Sequence, residues 1–305
     1  MAGDAGVQRP GWFYRLVLVS ATVIWGGNFV VSKLAVGALH PVWVIAVRFT
    51  IAGLLLGLVF LPRVRRCMSP SLLKAGLIIG FFSFLGYGSQ FLGLSGTTPA
   101  KNAFLSACYC LTVPFIWWLV ARRRPTARNL VAAAVCVAGM ALVTLQGELS
   151  VSWGDGVSML SALLYGAEIV AIALCVRDHD VITITVVQMV SSGLIAGLAG
   201  LALGLPFDAQ VLAEPSFLLQ MGYIIVLGSC YASTAQNLAQ TKVPPAEVSM
   251  LFALESVFGT VFSVVFLHEA LSAQLLLGFG LIFAAILVSE LGGIKVSKEK
   301  AAPRS

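Results

Sequence analysis

Apolar residues occur in ten long runs along the 305-residue chain, and short polar connections separate one run from the next. Each run is close to the roughly 20 apolar residues that a helix needs to cross a bilayer. The longest connections, around 147–154 and 205–215, are too short to form a domain outside the membrane. The pattern predicts an all-α integral membrane protein with transmembrane helices over 16–39, 41–61, 71–94, 99–120, 128–146, 154–176, 180–204, 216–239, 245–267 and 272–291.

The composition supports this prediction and excludes a soluble fold. Hydrophobic residues make up 59% of the chain and charged residues 10%, whereas soluble domains carry about 25% charged residues. The net charge of +6 raises the question of a nucleic-acid partner. The basic residues, however, form short clusters between apolar runs and are not interleaved with aromatic residues. Membrane lipids with anionic headgroups are therefore the predicted partners of these clusters, and nucleic acid is not.

The basic residues are distributed unevenly between the two sides of the predicted bundle. With the N-terminus in the cytoplasm, sixteen of the nineteen lie on the inner side: Arg9, Arg15, Arg63, Arg65, Arg66, Lys74, Arg122, Arg123, Arg124, Arg128, Arg177, Lys242, Lys295, Lys298, Lys300 and Arg304. Lys101 alone lies outside, and Lys33 and Arg48 lie within helices. This excess follows the positive-inside rule. It predicts a cytoplasmic N-terminus (1–15) and C-terminal tail (292–305) in a plasma membrane, such as a bacterial inner membrane.

The chain also resembles itself at a shift of 140 to 146 residues. The matched positions are Trp25-Gly26-Gly27-Asn28 with Tyr165-Gly166-Ala167-Glu168, then Ser83, Tyr87 and Gln90 with Ser229, Ser233 and Gln236, and Pro99-Ala100-Lys101 with Pro245-Ala246-Glu247. Chance recurrence of glycine and serine is the alternative, but a repeated polar face is harder to obtain by chance. Five helices per half is an odd number, so residues 16–146 and 154–291 are predicted to form two inverted repeats with a binding site between them.

Four ionisable residues fall inside the predicted helices: Lys33, Arg48, Glu168 and Glu255. Each costs about 2.5–3.5 kcal/mol at the bilayer centre, so each is a candidate for function. Helical rise puts Glu255 about 15 Å and Glu168 about 21 Å deep, near the midplane. Either carboxyl could bind a substrate ammonium or carry a proton, or it could be protonated and only tie helices together. Lys33 and Arg48 lie nearer the outer surface, where they could snorkel or pair with a carboxylate.

The matched polar positions and the aromatic residues beside them define the predicted substrate-binding set. Its members are Trp25, Asn28, Tyr87, Gln90, Tyr165, Glu168, Gln188, Ser229, Gln236 and Glu255. Gly26 and Gly27 are predicted as a hinge that could open one helical turn, with close helix packing as the alternative. Pro114 is interior to its helix and should kink it, as a hinge or as a simple bend. The six cysteines show no metal or disulfide spacing.

Several motifs resemble a known family. Trp25-Gly26-Gly27-Asn28-Phe29 with Lys33-Leu34-Ala35, and Pro41 with Arg48-Phe49, are similar to the start of EamA-type proteins of the drug/metabolite transporter superfamily. Leu254-Glu255-Ser256-Val257-Phe258 with His268-Glu269-Ala270-Leu271 is similar to that family's second half. The resemblance implies ten helices, inward termini and, commonly, export of amino acids or other metabolites. The chain departs from the family pattern at Ser256, where Pro is frequent.

The sequence predicts a transporter in preference to an enzyme. It contains no GxxxxGK[ST], HExxH or CxxC motif, so neither an ATP site, a metal nor a cofactor is expected, and transport would use a gradient. The predicted mechanism is alternating access, secondary active or facilitative. The alternative is a membrane-embedded enzyme or scaffold acting on lipid-soluble partners, although His40, His179 and His268 are scattered over different loops. Substrate, direction, proton coupling and oligomeric state stay open.

Overall fold

The computed structural model describes residues 10–122, 127–144 and 152–299. Among the residues discussed above, Arg9, Arg123, Arg124, Lys300, Arg304 and the predicted end of the first repeat at residue 146 lie outside these ranges. Within them the chain is helical and contains no β-strand.

Ten helical segments follow the ten predicted runs, and we number them α1 to α10 in chain order. They are α1 Gly11–Ala38, α2 Pro41–Val59, α3 Pro70–Ser95, α4 Pro99–Ala107 continued by Tyr109–Ala121, α5 Ala127–Thr144, α6 Trp153–Cys175, α7 Val181–Ala202, α8 Pro215–Tyr223 continued by Ile224–Tyr231 and Ala232–Gln240, α9 Pro245–Leu267 and α10 Ala273–Glu299. A short helix, Leu61–Cys67, follows α2.

Eight of these helices are long and apolar enough to cross a membrane within the described ranges. The other two, α5 and α10, contain the shorter apolar stretches Leu130–Gly139 and Ala273–Ala285. The prediction of an all-α membrane protein is therefore confirmed.

Local chemistry sets where the helices begin. Five of the ten start with proline, including α2, α3 and α4, and proline at this position removes an N–H that would have no helical partner. Ser69 and Thr98 accept hydrogen bonds from the backbone N–H groups of Leu72 and Lys101, respectively. Such caps matter in a membrane protein because unpaired backbone groups are costly near lipid.

The two halves pack against each other reciprocally, so a contact made by a helix of one half is repeated by its counterpart in the other half. Helix α2 packs against α7, α4 against α9 and α5 against α10, so each of these helices contacts its own counterpart in the other half. Likewise α3 packs against α6, and α8 packs against α1. With five helices in each half, the second half has the opposite orientation in the membrane, as the repeat predicted.

Gly53 and Gly193, which the 140-residue shift matches, allow α2 and α7 to pack closely. A Cβ on Gly53 of α2 would lie 2.9 Å from the backbone nitrogen of Val190, and one on Gly193 of α7 would lie 2.5 Å from that of Thr50. Each glycine therefore lets its helix approach the backbone of the other. Close packing through small residues is a principal source of helix association in membranes.

Candidate functional site

A narrow cavity of about 40 Å³ lies between the two halves. Its lining comes from α1, α3, α4, α6, α8 and α9, so both repeats contribute. Eight of the ten predicted binding residues line it: Trp25, Asn28, Tyr87, Gln90, Tyr165, Glu168, Gln236 and Glu255. The structure thus brings together residues that are as far as 230 positions apart in sequence. Their role in binding stays a prediction.

Glu168 is held by a cluster of hydrogen bonds from neighbouring helices. Its Oε1 accepts from Ser83 Oγ of α3 at 2.5 Å and from Gln188 Nε2 of α7 at 3.3 Å. Gln188 Nε2 also donates to Ser83 Oγ at 2.9 Å, and Asn237 Nδ2 donates to Gln188 Oε1 at 2.8 Å. These bonds occupy one carboxyl oxygen and fix the side chain. The other oxygen has no hydrogen bond to the described residues.

The residues that the repeat matches with this cluster form a second polar cluster. Asn28, Arg48 and Ser229 correspond in the repeat to Glu168, Gln188 and Ser83. Arg48 Nε donates to Ser229 Oγ at 2.6 Å, and its guanidinium carbon lies 4.5 Å from the centre of the Tyr87 ring. Arg48 is fully buried. The guanidinium of Arg48 therefore takes the place of the Gln188 amide. The amide of Asn28 takes the place of the Glu168 carboxylate.

The backbone of α8 is adapted to hold this second cluster. Residues Ile224–Tyr231 form a π-helical segment, in which the carbonyl of Gly228 accepts from Trp25 Nε1 at 2.8 Å and from Arg48 Nη2 at 3.1 Å. Wider π-helical turns free carbonyl groups for such contacts, and they are frequent at functional sites.

Glu255 is held differently, by a residue that the sequence analysis missed. Tyr109 of α4 donates its hydroxyl to Glu255 Oε1 of α9 at 2.9 Å. The two residues are separated by 146 positions, the same shift that matches Pro99 with Pro245. They are therefore equivalent in the repeat and meet across the interface, and this alignment was the signal that could have identified Tyr109.

Aromatic side chains form the walls of the cavity. The rings of Tyr87 and Tyr165 pack edge to face with centres 5.1 Å apart, and those of Trp25 and Phe252 with centres 5.0 Å apart. Tyr165 also donates its hydroxyl to Gln90 Oε1 at 2.7 Å. Nothing in residue type or spacing separates the other lining residues from ordinary core positions, so the sequence did not identify them: they are Phe29, Ser32, Phe91, Leu94, Ile169 and Phe252.

Four predicted residues lie away from the cavity surface. Gln188 and Ser229 stand behind it and support Glu168 and Arg48. Lys33 Nζ donates to the carbonyls of Leu94 and Thr97, both at 2.7 Å, at the end of α3. Within the described ranges, neither Lys33 nor Arg48 has a carboxylate oxygen within 4.0 Å. The two cations thus bind backbone or hydroxyl oxygens in this structure.

The predicted hinge residues Gly26, Gly27 and Pro114 all lie inside helical segments. Helix α1 continues without a break through Gly26 and Gly27, and a Cβ on Gly26 would lie 2.4 Å from Cβ of Phe258. This is the close packing that stood as the alternative to a hinge. Pro114 lies inside the second part of α4, whereas the interruption of that helix is at Cys108, six residues earlier. Hinge motion at these residues stays a prediction.

The cavity has the chemistry to hold a small molecule that carries a positive charge. Both charged residues that line it are carboxylates, and Asn28, Gln90 and Gln236 add amide groups that can donate or accept. Aromatic faces add apolar surface and attract cations. Small-molecule sites typically have volumes of several hundred Å³, so this cavity of about 40 Å³ would have to widen to admit a metabolite.

An inverted pair of five-helix repeats around a cavity that contains polar side chains defines a class of protein, the membrane transporters with internal repeats. The sequence matches the family model described as "EamA-like transporter family" twice, over residues 12–145 and 152–291. The chain therefore belongs to the EamA-like transporter family, and it is a multi-pass membrane transporter.

Relatives of similar length carry transporter names. The chain is 30% identical to an uncharacterized transporter of Archaeoglobus fulgidus, over 95% of this chain and 89% of the relative. It is 24% identical to the uncharacterized inner membrane transporter YedA of Escherichia coli, over 90% of each chain. A solved crystal structure superposes with a TM-score of 0.69 over 93% of this chain and 99% of its own, at 18% identity. That likeness concerns the fold alone.

Proposed function

We propose that the protein exports small amine-bearing metabolites, foremost amino acids, by alternating access of the cavity between its two repeats. It would lie in a bacterial inner membrane with both termini in the cytoplasm, the orientation that the uneven distribution of basic residues favours. Transport would be secondary active or facilitative, and the protein would not act as an enzyme.

The observation that carries this proposal is the position of Glu168 and Glu255 in one cavity built from both repeats. An ammonium group can bind the free oxygen of either carboxylate. Arg48, the nearest buried cation, lies over the ring of Tyr87 and does not line the cavity. The carboxylate of an amino acid would therefore bind the side-chain amides, whose N–H groups are the donors available there.

The reciprocal packing of the halves supports alternating access. Each helix that lines the cavity has an equivalent in the other, inverted repeat, so a motion that opens one end has a counterpart that opens the other. The same carboxylates could exchange their bound cation for a proton on the return step. Proton coupling is therefore part of the proposal.

The test is counterflow in proteoliposomes that contain the purified protein. Labelled amino acids, amines without a carboxylate and carboxylates without an amine would each be offered. Glu168→Gln and Glu255→Gln should lower amine uptake about tenfold or more, because hydrogen bonds to charged groups contribute about 1.5–3 kcal/mol. They should also change the dependence of transport on pH.

The exposed carboxylate Glu214, which precedes α8, provides the matched control. Glu214→Gln should transport at the wild-type rate. If Glu168→Gln and Glu255→Gln did so as well, the carboxylate site would be wrong. Preferential uptake of carboxylates without an amine would exclude the proposed substrate class.

A further inference from the structure

Two ion pairs join the halves of the protein at opposite ends of the cavity. At one end, Arg15 Nε of α1 pairs with Glu247 Oε1 of α9. At the other end, Lys101 Nζ of α4 lies 3.8 Å from Asp155 Oδ2 of α6. All four helices also contribute side chains to the cavity. Each pair therefore closes an interface between helices that enclose the site.

The two pairs occupy equivalent positions of the repeat, with the charges exchanged. The 140-residue shift that matches Trp25 with Tyr165 also matches Arg15 with Asp155, and the 146-residue shift matches Lys101 with Glu247. Inverted repeats place equivalent residues on opposite sides of the membrane. The same structural position therefore carries an ion pair at both ends of the cavity. Each residue of one pair has the opposite charge to its repeat counterpart in the other pair.

We infer that Arg15–Glu247 and Lys101–Asp155 are the two gates of the transport cycle, an inference that rests on the alternating access proposed above. Arg15–Glu247 closes the cytoplasmic end, and Lys101–Asp155 closes the outer end. The structure holds both pairs at once, as expected of a state closed at both ends. When one half rocks against the other, the pair at the opening end breaks and the opposite pair stays formed.

The two gates differ in their exposure. The side chains of Lys101 and Asp155 are 15% and 1% exposed, whereas those of Arg15 and Glu247 are 52% and 24% exposed. Asp155 Oδ1 also accepts a hydrogen bond from Thr97 Oγ1 at 2.5 Å. Solvent and salt screen an exposed pair far more than a buried one. The outer gate is therefore the less screened of the two, although only the cytoplasmic pair is joined by a direct hydrogen bond.

Backbone packing reinforces the outer gate alone. A Cβ on Gly154 of α6 would lie 2.3 Å from the carbonyl carbon of Gly96 and 2.8 Å from the carbonyl oxygen of Gly93 of α3, so the two helices touch there. The repeat positions equivalent to Gly154 and Gly93 at the cytoplasmic end are Tyr14 and Ala239, which allow no such approach. The empty protein should therefore open first toward the cytoplasm, the side from which an exporter takes its substrate.

Hydrogen–deuterium exchange of the full chain in lipid nanodiscs tests the gates without a substrate. Glu247→Gln should raise backbone exchange at the cytoplasmic ends of α1 and α9 (residues 11–17 and 245–249) on the order of tenfold, the scale of a typical coupling between sites. It should lower exchange at the outer ends of α4 and α6 (residues 99–103 and 153–158). Asp155→Asn should do the reverse, and Lys101→Gln provides a second outer variant should Asp155→Asn fail to fold.

Restoration by charge reversal identifies the ion pair itself. The double variant Arg15→Glu with Glu247→Arg should return exchange at both ends to wild-type values. Asp180→Asn is the matched control, because the Arg63–Asp180 pair also joins the halves but lies beside α2 and α7, which do not line the cavity. It should produce no reciprocal change.

Exchange that rises only beside each substitution, with no fall at the opposite end, would overturn the inference and leave the pairs as static contacts. Failure of the charge-reversed double variant to restore exchange would do the same. A reciprocal response in a protein that moves no solute in counterflow would support the gates and contradict the proposed function alone.

Discussion

Three glycines of α1 provide a graded test of how closely this helix must pack. A Cβ on Gly26 would lie 2.4 Å from Cβ of Phe258 and 3.0 Å from the backbone nitrogen of Gly259. A Cβ on Gly27 would lie 2.6 Å from the hydroxyl oxygen of Tyr223, and one on Gly37 would have no atom within 4 Å. Alanine would therefore meet a fixed helix at position 26, a movable side chain at position 27 and open space at position 37.

The expected costs follow from these neighbours. All three substitutions gain the same helix propensity, up to about 1 kcal/mol, so this contribution cancels when the variants are compared. Gly26→Ala has to push α9 away, which costs about 1–3 kcal/mol more than Gly37→Ala. Gly27→Ala has to displace the hydroxyl of Tyr223, which donates to the carbonyl of Ile24 at 2.8 Å, and the lost hydrogen bond costs about 0.5–1.5 kcal/mol.

The assay is equilibrium unfolding in mixed detergent micelles, followed by tryptophan fluorescence. The free energy of unfolding should decrease in the order Gly37→Ala, Gly27→Ala, Gly26→Ala. If Gly26→Ala were as stable as Gly37→Ala, the close contact between α1 and α9 would be refuted. Wild-type stability in both Gly26→Ala and Gly27→Ala, combined with equal losses of transport, would instead support the hinge that the adjacent glycines predicted.

Two further substitutions test the site and an ion pair outside the membrane. Tyr109→Phe removes the hydrogen bond to Glu255 and should lower transport about tenfold. Tyr14→Phe is the control and should not lower it, because the Tyr14 hydroxyl has no hydrogen bond to the described residues. Equal transport rates in the two variants would refute the role of the Tyr109–Glu255 bond. Burial alone would raise the pKa of Asp180, but hydrogen bonds from Arg63 and Thr183 outweigh it and hold the pKa below its usual value. Ionised Asp180 therefore stabilises the fold above about pH 4. Asp180→Asn should cost about 0.2–1 kcal/mol at pH 7 and progressively less as the pH falls below about 4, and a cost that does not change with pH would contradict this.

Much of the candidate site could be predicted because the second half of the chain repeats the first and can be aligned with it. Asn28 and Glu168, or Gln90 and Gln236, are polar residues at matched positions in apolar helices, where each polar group carries a free-energy cost. Tyr109 escaped this reasoning because its counterpart is a different residue type, Glu255. Gln188 and Ser229 were predicted to bind substrate, and the structure places them behind the lining; that position depends on the helix rotation, which no spacing of residues determines.

The sequence by itself determined the ten helical segments, their division into two inverted halves and the polar positions that face the interface. These follow from apolar length, from an odd helix count per repeat and from the cost of polar groups in lipid. Only the tertiary structure decided the partners. Arg48 bonds the π-helical turn of α8, so Glu168 and Glu255 have no ion pair among the described residues. The exchanged charges of Arg15–Glu247 and Lys101–Asp155 meet at opposite ends. Such contacts depend on distances of a few ångströms between helices, which are set by the packing of the whole bundle.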